Sequence, residues 1–137
     1  MMPAPTDFSL HGYEILVIDD DPVSRLFLSR LIAKCGGRVQ VAECGDDGLR
    51  LFKQSRFPLV ITDICMPGMD GIELAGRIRE IDPDSQIIAT SANGESDERL
   101  ASSKPGFNDY IVKPVEIDKL LAALQRCRDR ITAAGTR

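Results

Sequence analysis

Five short apolar runs, each followed by a stretch of different period, constrain the fold of this chain more than any other feature. Tyr13-Glu-Ile-Leu-Val-Ile18 opens the series, and Val39–Glu43, Leu59–Thr62, Gln86–Thr90 and Asp109–Val112 continue it. Nearly continuous apolar runs of this length fit strands covered on both faces. Between them the apolar residues change to helical spacing. Phe27, Leu28, Leu31 and Ile32 form the first such set, entered through Asp21-Pro22 and stopped by Cys35-Gly36-Gly37. Leu49, Leu51 and Phe52 form the second, and Ile72, Leu74, Ala75 and Ile78 the third. A weaker helix is expected over residues 96–103, and a long last one over 115–130 with Leu120, Leu121 and Leu124 facing in. Strand and helix alternating five times predict an α/β fold: a doubly wound parallel sheet, right-handed crossovers, helices on both faces.

A length of 137 residues suits one domain with a core of its own. Residues 1–12 read as a loose tail, 13–130 as the domain and 131–137 as a C-terminal tail, with no output domain expected after the last helix. The net charge of -4, with Lys and Arg scattered and only a mild cluster at Arg126, Arg128 and Arg130, speaks against direct nucleic-acid binding. Cys35, Cys44, Cys65 and Cys127 form no C-x-x-C pair, so reduced and mostly buried thiols in a cytoplasm are expected. The start has neither a basic region nor an apolar run, and nothing approaches a membrane span.

Charged residues fall at the ends of the strands. Asp19, Asp20 and Asp21 close the first, Asp63 the third and Lys113 the fifth, while Thr90 and Ser91 close the fourth. In open parallel sheets, ligands bind at the carboxyl ends of the strands, so these residues are expected to converge. Asp21 before Pro22 is equally suited to cap a helix. Adjacent carboxylates near a third repel, and such a group persists when a cation occupies it. Carboxylate oxygens favour a hard ion, and Mg²⁺ needs only one or two of them. Three acids, a lysine and a hydroxyl suit phosphoryl chemistry: Asp63 attacks in line, Mg²⁺ and Lys113 neutralise the equatorial oxygens, and Ser91 donates a hydrogen bond.

Four segments then resemble the receiver domain of two-component response regulators: Val17-Ile-Asp-Asp-Asp-Pro22, Ile61-Thr-Asp-Ile-Cys-Met-Pro-Gly-Met-Asp-Gly71, Ile88-Ala-Thr-Ser-Ala-Asn93 and Asp109-Tyr-Ile-Val-Lys-Pro114. The resemblance implies a flavodoxin-like sheet of order 2-1-3-4-5. It makes Asp63 the phosphoacceptor, Asp20 a Mg²⁺ ligand, Asp19 a ligand through water and the Cys65 backbone carbonyl a further ligand. Ser91 becomes the switch hydroxyl, Tyr110 the switch aromatic and Lys113 the phosphate-binding lysine, with a cis peptide before Pro114. The implied donor is a phosphohistidine on a sensor histidine kinase or a histidine phosphotransfer protein. A monomer or a weak phosphorylation-dependent dimer is implied too, and the downstream effector is left open. Ser102-Ser-Lys-Pro-Gly106 departs from the usual Ala-rich helix, and Pro105 is expected to shorten it.

Three other readings meet obstacles in the residues. A phosphatase working through an aspartyl phosphate would want an acid two positions after Asp63, where Cys65 stands. A flavin carrier would want a Ser/Thr/Gly phosphate loop where Asp19-Asp-Asp-Pro22 stands. A degenerate receiver used only for binding would lack site residues, and here all are present.

Overall fold

The computed structural model describes residues 8–92 and 106–134. The elements alternate as β1 (Glu14–Ile18), α1 (Pro22–Lys34), β2 (Arg38–Ala42), α2 (Gly45–Gln54), β3 (Leu59–Asp63), α3 (Gly71–Ile81), β4 (Gln86–Ser91), β5 (Asp109–Val112) and α4 (Ile117–Ala134). The five strands pair in parallel in the order β2-β1-β3-β4-β5. The expected fold is therefore present, with its winding reversed between β1 and β3. The expected helix over 96–103, together with Asn93 and Pro105, lies outside the described residues.

Alternation along the strands divides the interior into two cores. Ile15 and Val17 of β1, Leu59 and Ile61 of β3, Ile88 of β4 and Ile111 of β5 pack against α1 and α4. Leu16, Ile18, Val60 and Ile87 point the other way, onto α2 and α3. This two-sided burial explains why the strands read as unbroken apolar runs. It also assigns every strand residue to a face, including the polar ones at the strand ends.

Of the two expected tails, residues 8–12 and 131–134 are described, and these are structured. Leu10 is wholly buried and Phe8 nearly so, in the core under α1 and α4. The Leu10 amide donates to the Cys35 carbonyl at 2.8 Å, and the Arg128 guanidinium lies 4.9 Å from the centre of the Phe8 ring. Residues 8–12 are thus a packed arm. At the other end α4 runs on to Ala134, and the Tyr13 and Thr132 hydroxyls approach to 3.3 Å. Of the four thiols only Cys35 and Cys127 are buried, whereas Cys44 is half-buried and Cys65 exposed.

Candidate functional site

At the end of β1 the chain leaves the sheet at Asp19, which is fully buried. Its two carboxylate oxygens have different tasks. Oδ1 accepts from the Asp21 amide at 2.9 Å, and Oδ2 accepts from Lys113 Nζ at 3.1 Å. Its carbonyl accepts from the Arg25 guanidinium at 2.7 Å. Asp21 is the cap of α1, accepting from the Val23 and Ser24 amides, and it leaves the cluster. The Ser24 hydroxyl and these amides hold its pKa below the usual carboxylate value. Asp20 is exposed beside the cluster.

Asp63 ends β3 in a sharply defined backbone. The Ile64 amide donates to the Thr90 carbonyl at 3.0 Å, and the Gly71 amide donates to the Ile64 carbonyl at 2.8 Å. A side chain at Gly71 would collide with the Asp63 carbonyl, so glycine is required where α3 begins. Between them Gly68 turns the chain at φ +76°, and Asp70 caps α3 by accepting from the Glu73 amide.

Lys113 follows β5, its amide donating to the Ser91 carbonyl at 2.8 Å, and its peptide bond to Pro114 is cis, as expected. Its ammonium reaches Asp63 Oδ2 at 3.2 Å as well as Asp19. Asp19, Asp20 and Asp63 each offer one oxygen within 4.8 Å of the others. Three hard oxygen donors at this spacing could hold a divalent cation, and their chemistry fits Mg²⁺. Burial pushes the Asp63 carboxyl above its ordinary pKa, and repulsion from Asp19 and Asp20 adds to this against the pull of Lys113. For Lys113 burial works downward, yet attraction to Asp63 and Asp19 outweighs it and the net shift is up.

The register places the hydroxyls in a way the sequence did not disclose. Asp63 pairs with Thr90, and Thr90 with Ile111, so these three share the face turned to α1 and α4. Ser91 falls on the other face with Ala89, Tyr110 and Val112. It is buried, while Tyr110 is 38% exposed. Thr90 is fully buried, and its Oγ1 has no hydrogen-bond partner among the described residues. Strand alternation alone could have put Thr90 two residues on from Ile88, but its alignment with Asp63 requires the register.

The family model for the response regulator receiver domain matches residues 15–125. The chain belongs to that family. An uncharacterized 14.6 kDa protein of Leptolyngbya boryana is 37% identical over 86% of this chain and 92% of its own. The transcriptional regulatory protein AfsQ1 of Streptomyces coelicolor is 35% identical over 85% of this chain but only 52% of its own, so this receiver domain spans about half of that relative. Among solved structures, the response regulator TrrA of Thermotoga maritima, in complex with Mg²⁺ and BeF, is 35% identical with a TM-score of 0.76, covering 84% of this chain and 98% of that one. The receiver domain of the sensor histidine kinase PA1611 of Pseudomonas aeruginosa, with magnesium in its active-site cleft, is 30% identical with a TM-score of 0.77, covering 84% of this chain and 96% of that one. Receiver domains are signalling domains. No helix among the described residues is long and apolar enough to cross a membrane.

Proposed function

We propose that this receiver domain is a phosphoacceptor switch of a two-component phosphorelay, with Asp63 as the acceptor. The observation that carries the reading is Lys113 Nζ lying 3.1 Å from Asp19 and 3.2 Å from Asp63, inside a group of three carboxylates. A half-buried cation against a carboxylate that burial has desolvated is an arrangement for receiving further negative charge.

Asp20, Asp63 and the Cys65 carbonyl would hold Mg²⁺, with Asp19 acting through water. When bound, the ion supplies positive charge against the oxygens of the transferred group. Asp63 attacks phosphorus as a carboxylate: its Oδ–P bond forms while the N–P bond of a phosphohistidine breaks. The imidazole leaves as a neutral ring when its second nitrogen carries a proton. Lys113 orients Asp63 beforehand and turns to the phosphoryl oxygens afterwards. The donor is a sensor histidine kinase or a histidine phosphotransfer protein in the cytoplasm. The domain works on its own acceptor and turns over no external substrate.

The output follows from the second face of the sheet. Ser91 moves to bond the phosphoryl group, and Tyr110, which shares its face, swings toward the space released. The altered surface then changes the affinity of a partner, which is either an effector or a second copy in a weak dimer. Acetyl phosphate tests the acceptor function directly. With Mg²⁺ one phosphoryl mass is gained and is lost to hydroxylamine, and with the metal chelated none is gained. Equal uptake in the presence of chelator would contradict the metal-assisted reading.

A further inference from the structure

Arg25 stands on α1, half-buried beside the site, and the proposed chemistry gives it no part. Its guanidinium donates to the Asp19 carbonyl at 2.7 Å, and its amide donates to the Asp21 carbonyl at 3.0 Å. Those two carbonyls belong to the residues on either side of Asp20. β1 ends at Ile18, and among the described residues the ladder with β2 stops once the Asp19 amide has donated to the Ala42 carbonyl. The Asp19 carbonyl, in a residue wholly shielded from solvent, therefore takes its donor from a side chain.

A donor for one buried carbonyl would serve the fold wherever that carbonyl stood. What this one serves in particular follows from covalent geometry. The direction of the Asp20 side chain is set by φ and ψ of Asp20, the rotations between the peptide planes before and after it. The plane before it carries the Asp19 carbonyl, which Arg25 holds. The plane after it carries the Asp21 amide, which donates to Asp19 Oδ1 at 2.9 Å, and that carboxylate is held in turn by Lys113. With both planes pinned, an exposed side chain still starts from a fixed Cα–Cβ bond. If Asp20 is a ligand of Mg²⁺, as proposed above, its aim at the ion is then set before the ion arrives. We propose that Arg25 is a positioning residue for the cation site, presenting Asp20 to Mg²⁺ by fixing the peptide plane in front of it. Arginine does this without competing for ligand oxygens, because the atom it bonds is a backbone carbonyl.

Charge and geometry predict opposite results. The guanidinium is a cation beside a cation site, so by charge alone its removal would tighten Mg²⁺ binding. The loss of a positioning residue weakens it. In Mg²⁺ titrations followed by amide NMR shifts, Arg25→Met is expected to bind the ion about tenfold more weakly than the parent, the lower end for a group that orients a metal ligand. In an Asp20→Ala background the same substitution should cost less than about twofold, because the ligand it positions is gone. Unchanged or tighter binding in Arg25→Met would overturn the inference. So would a second tenfold loss in the Asp20→Ala background, since Arg25 would then act through the fold at large. A measurement on the parent alone covers the case in which the variant does not fold. Without metal, the Asp20 amide of the parent is expected to be as rigid as the sheet, with an order parameter of about 0.85, and a value below about 0.6 would overturn the inference. Failure of the underlying reading looks different: Asp20→Ala would bind Mg²⁺ as tightly as the parent, and the inference would fall with it.

Discussion

Each end of the sheet holds a half-buried cationic side chain, Arg79 at one and Lys113 at the other, and the two are treated in opposite ways. At the amino end Arg79 of α3 donates to the carbonyls of Pro83, Ser85 and Gly106 and to Asn108 Oδ1, the last at 2.6 Å. Asn108 in turn accepts from the Ile87 amide at 2.8 Å. Among the described residues every hydrogen-bond acceptor of Arg79 is a neutral oxygen, so this end ties α3 to the starts of β4 and β5. At the carboxyl end Lys113 stands between two carboxylates, with a third nearby and an unpaired hydroxyl on the same face. The first arrangement has nothing left to gain. The second holds charge that repels itself and a donor without an acceptor, which is the condition of a site built to accept something.

The sharpest way to break this comparison is to remove each cation in turn. Lys113→Met should slow phosphoryl uptake from acetyl phosphate at least about 100-fold, the scale of losing one preorganised charge at a transferring group. Arg79→Met, assayed where it is folded, should keep uptake within a small factor of the parent. Equal losses in both would show that Lys113 acts through the fold. In urea unfolding Arg79→Met should lose about 1–3 kcal/mol, because the part-buried Ser85 and Gly106 carbonyls and Asn108 Oδ1 lose their donor together.

A smaller effect has the opposite sign. Burial raises the Asp63 pKa, so the carboxylate form is disfavoured in the folded protein. For a raised acid the folded state is favoured below the unfolded value and loses that advantage as pH rises through the folded value. Asp63→Asn should therefore be more stable than the parent at neutral pH, and the gain should vanish as pH falls through the ordinary carboxylate range. Denaturation of both proteins across that range reads the sign. A neutral-pH loss on substitution would mean that the pair with Lys113 outweighs burial.

The mildest test uses the thiols as reporters of the two ends. Cys127, inside the core, is pushed up to about 11 by burial, whereas Cys65 is exposed beside the site. A thiol reagent at mildly alkaline pH should label Cys65 in the native protein and reach Cys127 only on unfolding. Rapid native labelling of Cys127 would show that the core under α4 opens.

Much of this could be read from the residues, for reasons the structure makes plain. Strands buried on both faces leave continuous apolar runs, and those of β1, β3 and β4 were unmistakable. Acids at strand ends have no packing purpose, so Asp19, Asp20 and Asp63 stood out before their meeting point was known. Asp21 was ambiguous because a cap and a ligand ask for the same residue type, and only its contacts with Val23 and Ser24 decided it. Leu10 and Phe8 were missed because an arm of irregular backbone has no period to betray it. Both lie outside the residues matched by the family model, as does Arg128, which donates to the Ser9 carbonyl and lies over the Phe8 ring. Thr90 was passed over in favour of Ser91 since adjacent hydroxyls differ only in face, and face alignment between strands is a tertiary fact.

The central claim is that one carboxylate among three takes the phosphoryl group. Reduction of the acetyl phosphate-treated protein with borohydride converts an aspartyl phosphate to homoserine, and peptide mapping then locates it. The account predicts homoserine at position 63 alone, absent without Mg²⁺. Homoserine at position 19 or 20, with Asp63 intact, would contradict it.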